Sequence, residues 1–210
     1  MKYLWTIAIL ALLVVACKNK NEQTKNDHIE THELHGNDKN HDIDGLNDSS
    51  DDKNQSNKKV LSPHTSAMAM IGDAHVHIDY SSPGVRNRMI FGGLLAYNEV
   101  WQAGAHMATW IETDKDLLID GKELKAGKYG FFTIPSKEEW TLIFNKNWDQ
   151  HGKDEYEEEE DVLRLFVEPK ISEEITEHLI YKVEETGSNE GTISLAWEKV
   201  TVSFSFKVKQ

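Results

Sequence analysis

The chain has 210 residues, with 23 Lys and Arg against 36 Asp and Glu, a net charge of −13, one cysteine and ten histidines. That length accommodates one domain, or one domain with an extended tail. An acidic surface with no basic stripe argues against a nucleic-acid partner, and a lone cysteine rules out both an intramolecular disulfide framework and a CxxC zinc ribbon.

Residues 1–16, MKYLWTIAILALLVVA, carry one early charge at Lys2 and then an apolar run from Leu4 to Val15. The run is shorter than the roughly 20 residues a membrane span needs, and it ends on small residues as a secretory signal does. Cys17 follows Val14-Val15-Ala16 directly, an arrangement that resembles the bacterial lipobox with Val14 in place of leucine. The resemblance implies cleavage before Cys17, acylation of that cysteine, and attachment to a bacterial envelope membrane, facing the periplasm or the exterior.

Residues 17–59 read as an acidic, disordered tether. Beyond Cys17 their apolar content is little more than Ile29, Leu34, Ile43 and Leu46, too little to offset the entropy of ordering. His28, His32, His35 and His41 lie close together in this stretch, and the first three are spaced to share a helix face, so they form a weak candidate site for a divalent transition metal. The run Asn40 to Asp51 approximates a calcium loop, with oxygen side chains at Asn40, Asp42 and Asp44 and a glycine at Gly45. Asn40 at its first position and Asp51 in place of glutamate depart from that pattern, and a solvated linker is the favoured reading.

Composition changes at Val60. Five of the six tryptophans and all seven phenylalanines lie beyond it. Alternation of period two recurs at Trp140/Leu142/Phe144, at Leu163/Leu165/Val167, at Ile193/Leu195/Trp197 and from Val200 to Val208, with turn chemistry at Asp120-Gly121 and Ala126-Gly127. The expected fold for residues 60–210 is all-β, about nine short strands in a two-sheet antiparallel sandwich of jelly-roll-like topology. A short helix or structured loop is expected from Gly92 to Trp101, and a solvated loop across the acidic run Asp154–Asp161.

No nucleophile elbow, Walker loop, dinucleotide fingerprint or zincin helix is present. The residues that invite chemistry are histidines: His75 and His77 in DAHVHIDY, His106 in QAGAHMAT and His151 in WDQHG. Residues i and i+2 of a strand point to one face, so His75 and His77 can address one ion. With His106 and His151 they form a candidate zinc or copper site. Val76 and Ile78 are expected to face the core, leaving the histidines outside. Arg86 and Arg88 are candidates for clamping an anionic ligand. Tyr80, Tyr97, Trp101 and Trp110 are candidate walls of a sugar- or peptide-binding groove, although aromatics at such spacing more often pack in cores. Three functions follow: a lipid-anchored metal binder, a metal-free ligand-binding or envelope-scaffold module, and a metal-dependent enzyme with Glu112 or Asp149 as general base.

Four segments, YSSP (80–83), VWQAGA (100–105), AGKYGFFTIP (126–135) and EWTLIFN (139–145), lie within a stretch from His64 to Val208 that resembles the bacterial domain-of-unknown-function family 2911. The resemblance implies a secreted or lipid-anchored protein and brings no established activity. Many members carry asparagine where His106 stands and lack the HxH pair, and Gln102 replaces an arginine often found after the tryptophan.

Overall fold

A computed structural model describes residues 61–210; the expectations for the signal segment, Cys17, the tether histidines His28, His32, His35 and His41, and the Asn40–Asp51 run lie outside those residues. The described chain begins with a hairpin of β1 (His64–Ile71) and β2 (Ala74–Ser81). A two-residue turn, Gly72-Asp73, joins them. Gly72 takes φ 57°, and a Cβ there would collide with the side chain of Asn189. After a long connection come β3 (Trp110–Thr113), β4 (Leu117–Ile119), β5 (Lys122–Leu124), β6 (Gly127–Ile134), β7 (Trp140–Asn145), β8 (Asp161–Val167), β9 (Lys170–Gly187) and β10 (Glu190–Val208). Asp120 and Gly121 both have positive φ, the backbone a two-residue hairpin turn requires, and they join β4 to β5 as their chemistry predicts.

One sheet has the order β1-β2-β3-β6-β7-β8 and the other β5-β4-β10-β9. All strand pairings are antiparallel. The two-sheet sandwich is therefore as expected. Alternate residues point inward, and Phe131 and Phe144 of the first sheet meet Phe204 and Tyr181 of the second at ring separations of 5.8 to 6.3 Å. The connection from Ser82 to Thr109 contains no helix; its turns deliver Phe91 and Trp101 to the core. There Trp101 stacks on Trp197 at 5.6 Å, and Phe91 meets Trp140 edge-on at 4.9 Å. Tyr80 and Trp101 are buried core residues, which removes them from the expected groove.

Two strand expectations need correction. The two alternating runs near the C-terminus belong to one strand, β10. Glu198, at φ 57° and flanked by breaks in register, bulges out and reverses the parity of the inward set. Ile193, Leu195 and Trp197 point inward before it, and Val202, Phe204, Phe206 and Val208 after it. Strand β9 had no counterpart among the expected strands, because it is an edge strand whose first half is exposed and whose inward set is little more than Leu179, Tyr181 and Val183.

The acidic run is, as expected, a largely exposed connection between strands, here β7 and β8; a solvent-facing 3-10 turn spans Glu158–Glu160, and only Asp161 turns inward at the start of β8. Its carboxylate accepts hydrogen bonds from Asn145 Nδ2 at 2.7 Å, Arg164 Nε at 2.6 Å and the Tyr156 hydroxyl at 3.0 Å. Burial first, and then the Asp161 carboxylate, push the Tyr156 phenol up to about 12. The folded state thus holds this proton more tightly than the unfolded chain, whose tyrosines titrate near ~10. This contribution to stability is complete below about pH 10 and is lost as pH rises towards 12. Urea midpoints of the wild type should accordingly fall more between pH 9 and pH 11 than those of Tyr156→Phe. Equal falls in the two proteins would refute this assignment.

Candidate functional site

The outer face of the six-stranded sheet carries the described side chains with the most chemical potential. Along β2, Val76 and Ile78 are fully buried while His75, His77 and Asp79 point outward, as the alternation requires. The end of β2 is held in place: the His75 backbone N–H donates to Asp114 Oδ1 at 2.8 Å. The two imidazoles lie 6.0 Å apart, centroid to centroid, with an interplanar angle of 49°. Trp110 packs its ring edge-on against His77 at 5.0 Å. The Nε2 atom of His77 is buried without a hydrogen-bond partner.

Antiparallel register determines the neighbours of this pair. His77 stands opposite Met68 of β1 on one side and Glu112 of β3 on the other, and His75 stands opposite Met70. Both methionines are more than half exposed. Glu112 is in turn opposite Lys128 of β6, with 3.6 Å between carboxylate and ammonium. The Lys128 ammonium also lies 3.8 Å from the Trp110 ring centre and 4.6 Å from that of Trp148. Gly130, opposite Trp110, makes this arrangement possible. A Cβ there would sit 2.9 Å from the Asn147 carbonyl oxygen, so only glycine lets the loop carrying Trp148 lie across the sheet.

Beyond Asp79 the same face opens into a cleft of about 180 Å³, lined among others by His64, Asp79, Met107, Trp110, Trp148 and Asp149. His64 Nε2 is 2.8 Å from Asp79 Oδ1 across the rim.

His106 and His151 stand apart from the β2 pair. They occupy two loops that are stitched together, with the Gly152 N–H donating to the His106 carbonyl at 2.7 Å and Met107 bridged to His151. Both are exposed; His106 adopts φ 63°, and His151 Nδ1 lies 3.2 Å from Asp154 Oδ2. Among the described residues, no three side chains of His, Cys, Asp and Glu are gathered to hold a metal ion. The four histidines therefore do not form one ligand group here.

The arginine pair also divides. Arg88 donates to the carbonyls of Val85 and Gly84, at 3.1 and 2.7 Å, and so braces its own turn; Arg86 points to solvent at φ 49°. Tyr97 lies half-buried, beside a separate hollow that includes Phe91 and Trp140. Trp110 is the one groove aromatic that reaches the outer face beside the histidines.

These features define a β-sandwich domain with a polar, aromatic-lined outer sheet face and no familiar catalytic constellation. Residues 62–206 match the family described as "Protein of unknown function (DUF2911)", and the chain belongs to that family. No curated protein and no solved structure matches it. Among the described residues no helix is long and apolar enough to cross a membrane.

Proposed function

We propose that the chain is a lipid-anchored, extracytoplasmic metal-binding protein whose β-sandwich presents a transition-metal site on the outer face of β2. One observation carries the reading: His75 and His77 share that face with their rings 6.0 Å apart. An ion bound about 2.0–2.1 Å from each of two imidazole nitrogens brings the ring centres to within roughly 5–6 Å, so small side-chain rotations suffice. His106 and His151 are left out of the site. Of the two carboxylates the enzyme reading offers as general base, Glu112 is engaged by Lys128, while Asp149 lines the cleft beyond Asp79.

The experiment is calorimetric titration of the untagged full chain with zinc. Cys17→Ser and asparagine at His28, His32, His35 and His41 remove competing ligands from the tether. This background protein should bind one ion, and adding His75→Asn and His77→Asn should abolish the binding. Imidazole ligates only when neutral, so the affinity should also fall on acidification. Binding that survives the double substitution would sink the reading.

A second reading, a metal-free ligand-binding module, draws on the cleft partly lined by Trp110 and Trp148. Their half-buried indoles, flanked by Asp79 and Asp149, suit a small neutral polar ligand such as a sugar ring.

A further inference from the structure

Two imidazoles make a poor complete site, since an ion held by only two protein ligands is bound weakly. The register of the first hairpin suggests where further donors come from. Met68 and Met70 on β1 repeat the i, i+2 spacing of His75 and His77 on β2, and the two pairs are directly opposed: Met68 faces His77 and Met70 faces His75. Directly opposed residues of an antiparallel pair have Cβ atoms about 4.5–5.5 Å apart, and the diagonal partners are about 7–8 Å apart. The four side chains thus occupy the corners of one small patch, all projecting from the same face. The geometry points to a copper(I) site in which the thioethers of Met68 and Met70 and the imidazoles of His75 and His77 bind one ion.

Donor chemistry selects the metal. Thioether sulfur is a soft, neutral donor that favours copper(I) and contributes little to zinc, whereas imidazole serves both. A patch of two thioethers and two imidazoles is therefore biased towards copper(I) over zinc. Burial is consistent with that use. Ala67, Ala69 and Ile71 form the inward set of β1, while Met68 and Met70 stand 56% and 55% exposed, so the core does not hold these thioethers. Strand β1 is also the outermost strand of its sheet, where exposed positions are commonly given to charged residues rather than to two flexible apolar ones. Methionine has three rotatable bonds, so each sulfur can swing towards an ion between the strands. His77 Nε2 has no hydrogen-bond partner to compete with a metal. The turn Gly72-Asp73 pins the register on which the patch depends.

This inference rests on the metal-binding reading above, and the test separates the two. The protein is the same untagged full chain, with Cys17→Ser and the tether histidines replaced. It is titrated anaerobically with copper(I) in ascorbate against a chromophoric chelator, and separately with zinc. Met68→Leu/Met70→Leu should lower copper(I) affinity by at least about tenfold while leaving zinc binding unchanged, since leucine preserves volume but removes the sulfur. X-ray absorption at the copper edge should show sulfur neighbours in the parent and none in the leucine variant. His75→Asn/His77→Asn should weaken both metals. Copper(I) binding that is indifferent to the leucine substitutions, or a copper shell without sulfur, would overturn the thioether site while leaving the histidine reading intact. Binding of neither metal by the parent would overturn both.

Discussion

Replacing Trp197 by alanine should cost the domain about 3–5 kcal/mol, the range for truncating a buried aromatic. Trp197 is 1% exposed, projects from β10 just before its bulge, stacks on Trp101 at 5.6 Å and meets Phe91 at 6.1 Å. The connection after β2 therefore closes on it with two rings, and that connection is tied to the first sheet by the Trp101–Thr133 backbone pair and by Phe91 against Trp140 of β7. A cavity of indole size at that junction cannot be filled by a local shift, because its walls belong to elements held in different sheets. Set against a typical total of about 5–15 kcal/mol, such a loss removes roughly a fifth or more of the domain's stability. Trp197→Phe makes the discriminating comparison. It keeps a ring in place and deletes an indole N–H that is buried without a partner, so it should cost less than half as much. Urea denaturation of the two variants checks this, and an alanine variant within about 1 kcal/mol of wild type would show that the junction is not a keystone.

Cys17→Ser should abolish lipid attachment altogether. With fatty-acid labelling in cells, the wild-type chain should incorporate label and its mature form should lack residues 1–16. The serine variant should take up none. Each buried methylene adds about 0.8 kcal/mol, so an N-terminus bearing several acyl chains holds a membrane firmly, whereas the polar stretch beyond Cys17 offers no alternative of spanning length. Label retained by the serine variant would place acylation elsewhere, and a wild-type N-terminus starting before Cys17 would rule out lipobox processing.

The outward placement of His75 and His77 was legible in the sequence because strand faces follow from local alternation, and DAHVHIDY alternates cleanly between small or apolar and polar residues. The turn at Asp120-Gly121, the inward sets of β7 and β8 and the all-β class were legible for the same local reason. The expected union of His75 and His77 with His106 and His151 was not reached. His106 and His151 follow small or polar residues in loops, where no periodicity states a direction, and the two loops bond to each other instead. Met68 and Met70 belong to no motif in the sequence, where nothing marks a lone methionine as exposed. The signal available was their matching spacing on the far side of Gly72-Asp73, which a hairpin turns into opposition.

Residues 61–210 thus determined by themselves that a β-sandwich would form and which side of β2 would be wet, since pleating and burial act within a few residues along the chain. Only the tertiary structure decided which side chains became neighbours. It set Met68 and Glu112 on either side of His77, brought Trp148 across Gly130 onto Lys128, and drew Asp161 into a half-buried cluster with Tyr156 and Arg164. The physical reason is that register and sheet order depend on turns, bulges and the packing of one sheet on another. A pleat specifies the face on which a residue lies, while its partner across the strand is chosen by chain segments far away in sequence.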